Sequence, residues 1–301
     1  MSGVFRLPLG DVAEAVVGFV IDTFGWFFDA LSAAFGAVYS GLDWVLSAPP
    51  FWLIIAAFAA LAYFAKGLWL AVGTVIGLLV IVGVNQWANA MDSLALVMVA
   101  ASAAVLIAIP VGIWAARDDR VSRVVRPVLD FLQTMPAFVY LIPALLLFGV
   151  GPVPGIVATV VFALAPGVRL TELGIRGVDA EVVEAGHAFG ASPARILRQI
   201  QLPLAMPSIM AGVNQVIMLS LSMVVIAGMV GAGGLGGAVV QSLSRIDIAL
   251  GVEAGVSVVI LAIILDRITS AAAGARNRKR LTRPFAGSAE QAAPAPAGVP
   301  N

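Results

Sequence analysis

The chain has 301 residues, of which 61% are hydrophobic and 11% charged, and its formal net charge is zero. A water-soluble globule of that composition could not hide its apolar surface, so the chain is read as an integral membrane protein. With no cysteine and one histidine it lacks the ligands for a zinc site, thiolate chemistry or disulfides, and its 17 basic residues are too dispersed for a nucleic-acid surface.

The N-terminus carries Arg6 and then Asp11, Glu14, Asp22 and Asp29. A signal peptide would have a basic stretch and an unbroken apolar run there, so no cleaved leader is expected. Across residues 11–47, Val, Phe, Trp and Leu are interspersed with carboxylates, Asp22 and Asp29 lying seven apart. That pattern predicts an amphipathic helix on the outer membrane surface, within an extracytoplasmic region of residues 1–50; an eighth span is the competing reading.

Seven apolar runs follow, at 51–65, 68–84, 93–116, 128–149, 154–173, 208–230 and 251–270. Most approach the ~20 residues that a ~30 Å hydrocarbon core requires. Each must be helical, because lipid offers no partner to backbone N–H and C=O groups. The first two, within residues 51–90, are separated only by Lys66 and Gly67. One fused helix there would be about twice the required length, so a helical hairpin is predicted. The fold class is all-α, a polytopic membrane protein of about seven transmembrane helices.

Lys and Arg collect on the cytoplasmic side of membrane proteins. A cytoplasmic C-terminus puts 15 of the 17 basic residues inside: Lys66; Arg117, Arg120, Arg123 and Arg126; Arg169, Arg176, Arg195 and Arg198; and Arg267, Arg276, Arg278, Lys279, Arg280 and Arg283. Arg6 and Arg245 remain outside. An odd number of spans with the N-terminus out follows, and the acidic N-terminal region, Asp43 included, suits that side. The tail at 271–301 is basic and then rich in Ala, Pro and Gly from Pro284; it is predicted to be cytoplasmic, to touch anionic lipid and to end in disorder.

In this topology a cytoplasmic loop runs from 174 to 207, and its chemistry writes two short helices. Asp179, Glu181 and Glu184 load the first with negative charge against its dipole, and Gly190 is placed to end it in a left-handed cap. Ser192 is a ready N-cap for the second, Pro193 suits the first helical position, and Pro203 is expected to stop the run. Ile196, Leu197 and Ile200 share one face, with Arg195, Arg198 and Gln199 on another. Such a loop either packs on its own spans or docks in a groove of a soluble partner, and docking is the favoured reading.

The stretch "EAGHAFGASPARILRQIQLP" (184–203) resembles the E-A-A, three residues, G, nine residues, I-x-L-P signature of permease subunits in binding-protein-dependent ABC importers. Glu184, Ala185, Gly186, Gly190, Ile200, Leu202 and Pro203 match in register. Gly186 replaces the second alanine, a change that lowers helicity by somewhat under ~1 kcal/mol and keeps close approach possible. Residues 129–159, 169–178 and 221–237 are similar to the branch importing glycine betaine, proline betaine and related quaternary amines, and the likeness covers a permease domain of residues 91–270. It implies a type I ABC importer permease fold in the bacterial plasma membrane and a homodimer. Its implied partners are two cytoplasmic ATP-binding subunits and a separate periplasmic or lipid-anchored solute-binding protein. The 174–207 loop would be the coupling element: Glu184 for polar contact and dipole compensation, Ala185 and Gly186 for close approach, Gly190 for the turn.

His187 is read as a surface residue of the first loop helix rather than a pH sensor. "GAGGLG" (231–236) has no preceding strand and reads as a flexible extracellular turn rather than a dinucleotide site. Polar residues inside spans are costly in lipid. Gln133, Thr134 and Pro136 in the fourth run, and Asn214, Gln215, Ser220 and Ser222 in the sixth, are read as helix–helix hydrogen bonding or as lining of a translocation path. No cluster of nucleophile, base or metal ligands marks an enzyme, no cofactor is implied, and no G-x-x-x-x-G-K-[ST] loop binds nucleotide. The expected function is therefore a permease subunit for quaternary-amine compatible solutes, driven by a partner ATPase. The rival is an ion-gradient-driven carrier of amines or amino acids, disfavoured because Asp92, Asp130, Glu253 and Asp266 fall near predicted helix ends.

Overall fold

The structure, a computed structural model, describes residues 9–281. The expectations for Arg6, Arg283 and the tail from Pro284 lie outside those residues. Among the described residues every regular element is helical.

Helix α1 (Leu9–Ser47) is a single 39-residue helix, about 58 Å at 1.5 Å per residue. Its second half packs on the body of the protein through Phe35, Tyr39, Leu42 and Leu46, and Phe28 at its midpoint meets Phe148 edge to face. The predicted hairpin is present: α2 (Phe51–Lys66) and α3 (Leu68–Gly83) lie against each other. The chain reverses at Gly67, whose φ of +91° is a conformation that side-chain-bearing residues avoid. Each helix has 16 residues, about 24 Å, short of a ~30 Å hydrocarbon core.

The centre is built by α4 (Trp87–Arg117), α7 (Pro152–Arg176) and α10 (Leu202–Gly228), with α7 between the other two. Lipid supplies no hydrophobic drive for helices to associate, so close backbone approach at small residues takes its place. A Cβ on Gly167 would lie 2.8 Å from Ala108 Cβ and 3.0 Å from Val216 Cγ2, so α7 crosses both neighbours at a residue with no side chain. Around these crossings Val97, Ala100, Ala104, Ile156, Ala163 and Val216 form the largest core cluster.

Three expectations need correction. The run at 128–149 is not one continuous helix: α5 (Asp119–Thr134) and α6 (Leu141–Phe148), joined by a short 3-10 turn at Ala137–Tyr140, meet at a bend of 110°. Pro136 lies in the break, where it has no N–H to continue the helix. The count of seven spans is approximate for the same reason. Among the described residues five helices are long and apolar enough to cross a membrane by length and composition, six with the bent pair, and α2 and α3 are shorter apolar helices. Residues 231–236 are not a loose turn. Gly231, Gly233 and Gly234 take φ of +82°, +76° and +60°, the Leu235 N–H donates to Ser93 Oγ at 2.8 Å, and α11 (Gly234–Arg245) folds back on α10. A Cβ on Gly236 would stand 2.0 Å from the Val224 carbonyl oxygen. The last helix, α12 (Ile248–Leu281), packs on α3, α10 and α11.

Candidate functional site

The 174–207 segment is built by local rules. Helix α7 ends at Arg176, and Asp179 caps α8 (Ala180–Ala188), its side chain accepting from the Glu181 N–H at 2.9 Å. The far end of α8 is closed by two bonds, Ala191 N–H to the Gly186 carbonyl at 3.1 Å and Gly190 N–H to the His187 carbonyl at 2.9 Å. This is the Schellman pattern, and Gly190 supplies its left-handed residue at φ +74°. No atom lies within 4 Å of where a Gly190 Cβ would be, so the conformation, not space, calls for glycine.

Pro193 then opens α9 (Pro193–Ile196), with Ser192 at the cap accepting through its backbone carbonyl and not its side chain. The expected stop at Pro203 does not occur. Residues Leu197–Gln201 form a π turn, closed by Leu202 N–H to the Leu197 carbonyl, and lead straight into α10. A π turn shifts the hydrogen-bond register just before Pro203, which has no N–H to donate, so the helix absorbs the proline without ending.

The motif residues divide into two sets. Glu184 and Ala185 are exposed on α8. Gly186 is buried, and a Cβ there would lie 2.8 Å from Ile200 Cδ1 and 3.4 Å from Ile196 Cγ1, so its close approach is to the loop's own second helix. Ile200 is therefore the residue that seats α8, while Leu202 packs with Ile175, Leu197, Ala205 and Ile209. Two apolar side chains of this segment are open to solvent: Val182 is 41% and Phe189 91% exposed. Sequence reasoning missed Phe189, although an aromatic immediately before the glycine of a polar segment is a readable signal. His187 is exposed in the last turn of α8.

Next to the loop lies a polar cluster that the sequence did not reveal. The Glu172 carboxylate is 4% exposed, and its Oε1 accepts from Ser122 Oγ at 2.7 Å, Arg126 Nη2 at 2.8 Å and Arg176 Nε at 3.0 Å. Arg176 also reaches Asp119 at 2.7 Å and the Ala115 carbonyl at 2.8 Å. Glu172 thus ties α5 to α7, Arg176 adds the end of α4, and the buried carboxylate is tolerated there because it is paired and hydrogen-bonded. Arg169 pairs with Asp130 one turn away, across the mouth of a cleft between α5 and α7.

Of the suggested path residues, Gln133 lines that cleft, and Thr134 Oγ1 caps its own helix by donating to the Phe131 carbonyl. Asn214 joins Asp266 at 3.2 Å, and Thr269 donates to Asn214 Oδ1 at 2.8 Å, linking α10 to α12. Ser220 donates to the Val216 carbonyl of its own helix, and Gln215 is exposed. These residues do not converge on one site.

Residues 108–280 match the family described as binding-protein-dependent transport system inner membrane component. The chain belongs to that family. The match takes in the last third of α4 and runs into α12, and hence includes the loop, the Glu172 cluster and the cleft. This permease is 46% identical over 264 residues to the glycine betaine transport system permease protein OpuAB of Bacillus subtilis, covering 88% of this chain and 94% of that one. It is 44% identical over 292 residues to the glycine betaine/proline betaine permease ProW of Escherichia coli, covering 93% and 82%. An inward-facing structure of the MetNI methionine ABC transporter aligns with a TM-score of 0.55 at 23% identity, over 65% of this chain and 95% of that chain, which speaks to the fold alone. The permease is therefore a multi-pass inner-membrane subunit of the ABC importer type, and family membership favours it over a self-sufficient secondary carrier.

Proposed function

We propose that this permease serves an ATP-driven importer of glycine betaine, proline betaine or a related quaternary-amine compatible solute. It acts as a homodimer with two cytoplasmic ATP-binding subunits, which hydrolyse the ATP, and with a separate solute-binding protein outside. The observation that carries the reading is the 46% identity to a glycine betaine permease across 94% of that protein's length. The N-terminus is outside and the C-terminus inside. The concentration of Arg117, Arg120, Arg123, Arg126, Arg169, Arg176, Arg195 and Arg198 in the stretches 117–126 and 169–198 supports this, since basic residues favour the cytoplasm.

Helix α8 is the coupling element. Phe189 and Val182 enter an apolar groove on the ATPase, Glu184 and Ala185 line the contact, and Gly186, Ile200, Leu202 and Pro203 join α8 to α10 so that it cannot be displaced alone. Gln133, Thr134, Pro136, Asn214, Gln215 and Ser220 border or brace the path. The test is uptake of radiolabelled glycine betaine into proteoliposomes containing the permease, its ATPase and its binding protein. ATP without an ion gradient should suffice; uptake that needs an ion gradient and ignores ATP overturns the reading.

A further inference from the structure

The cleft between α5 and α7 has a volume of about 510 Å³ and a lining that is unusual in so apolar a chain: three guanidiniums, two carboxylates and an amide, backed by Leu170 and Leu173. Its charged groups fall into two classes. At the floor, Glu172 is 4% exposed and fully engaged by Ser122, Arg126 and Arg176. At the mouth, Arg169 and Asp130 pair with each other, yet their side chains are 39% and 64% exposed. A pair so open to water is weakly held, because water competes for both ions.

From this we infer that the mouth of the cleft is a weak binding site for a zwitterion carrying a carboxylate and a quaternary ammonium. It is the inward-side station for the solute and rests on the importer reading given above. The molecule inserts into the Arg169–Asp130 pair. Its carboxylate takes the Arg169 guanidinium, with spare N–H groups of Arg126, whose side chain is 59% exposed, within the same lining. Its trimethylammonium faces Asp130 and lays its methyls on Leu170 and Leu173.

One ion pair becomes two, and no charge is stranded. A lone cation would leave Arg169 without an anion, and a lone anion would leave Asp130 without a cation, so the site discriminates by requiring both signs on one molecule. The ammonium has no N–H and asks for no acceptor, which suits a wall made of leucine. Solvent exposure keeps binding weak, as release to the interior requires.

The chain has no cysteine, so a single introduced thiol reports on the cleft without background from this subunit. In the nucleotide-free complete transporter, Leu173→Cys, and independently Gln133→Cys, is modified with a trimethylammonium methanethiosulfonate reagent and the rate read on this subunit by mass. Glycine betaine at about twice its dissociation constant should slow modification roughly threefold. Choline chloride and sodium acetate at equal concentration should do no more than sodium chloride, and Asp130→Asn should abolish the protection. Equal slowing by choline, no slowing at either thiol, or full protection in Asp130→Asn overturns the site. ATP-driven glycine betaine uptake by the unsubstituted transporter is measured in parallel. Uptake without protection sinks the cleft alone, whereas absence of uptake sinks the importer reading beneath it.

Discussion

Gly190 offers the cleanest test of the loop, because its requirement separates into conformation and space, and only one of them applies. Its φ is +74° and no atom lies within 4 Å of a Cβ built on it. Forcing an L-residue into that region costs roughly 1–2 kcal/mol. For Gly190→Ala, the entropy that the unfolded chain loses offsets about 0.4–1 kcal/mol of this, leaving about 1 kcal/mol. Gly190→Val, β-branched and stiff at χ1, should cost about 2 kcal/mol. Asparagine tolerates the left-handed region, so Gly190→Asn should cost least although it is larger than alanine. These values shift the ratio of capped to frayed α8 by factors of about 5 and 30 for alanine and valine. The assay is ATP-driven uptake together with co-purification of the ATPase, in variants shown to insert at normal levels. The expected order of loss is Asn, Ala, Val. An order that follows side-chain volume, or normal uptake by Gly190→Val, would refute the argument that backbone conformation governs the turn.

Phe189→Ser should leave thermal stability within about 0.5 kcal/mol, as for surface changes generally, because the ring is 91% exposed. It should nevertheless reduce recovery of the ATPase on a permease affinity column; unchanged recovery removes Phe189 from the interface. Glu172→Ala removes an acceptor serving Ser122, Arg126 and Arg176, and should destabilise by about 2 kcal/mol in thermal unfolding. Arg126→Gln, altering a side chain 59% exposed, should cost clearly less, and the reverse order contradicts Glu172 as the organising group. Gly236→Ala places a methyl 2.0 Å from the Val224 carbonyl oxygen, with backbone atoms that cannot turn aside. It should cost about 3 kcal/mol, the upper part of the range for overpacking, read as a lowered unfolding midpoint.

Features whose causes lie within a few residues were legible in the sequence. The break at Gly67, the acidic start of α8 and the left-handed turn at Gly190 each follow from side-chain chemistry confined to one turn, and the structure has them at those positions. Prolines misled because their effect depends on what precedes them. Pro203 reads as a stop, yet a π turn lets the helix run through it. Pro136 reads as a neighbour of the polar Gln133 and Thr134, while in the structure it sits at the 110° bend. The Glu172 cluster was invisible for another reason: Ser122 and Arg126 are 50 and 46 residues away in sequence, and no periodicity within one helix encodes a pairing between two.

The two groups of contacts around the loop act on different spans, which bears on how a displacement of α8 would spread. Toward α10, Gly186 rests on Ile196 and Ile200, and the π turn passes without a break into the span. Toward α7, the link is only Gly177 to Asp179, but Arg176 just before it is tied to α4 through the Ala115 carbonyl and to α5 through Asp119 and, by way of Glu172, through Ser122 and Arg126. Helices α7 and α10 in turn meet where Gly212 lies 3.5 Å from the Gly167 Cα, by the measure of an added Cβ. Packed interfaces of this kind have little room for gradual deformation. A pull on α8 would therefore move α7 and α10 as a connected pair, α4 would follow through its close packing on α7 at Gly167 and Gly112, and α5 through Glu172 and Asp119. Loss of Glu172 should then impair coupling beyond its cost in stability, leaving ATPase binding intact while uptake per ATP hydrolysed falls.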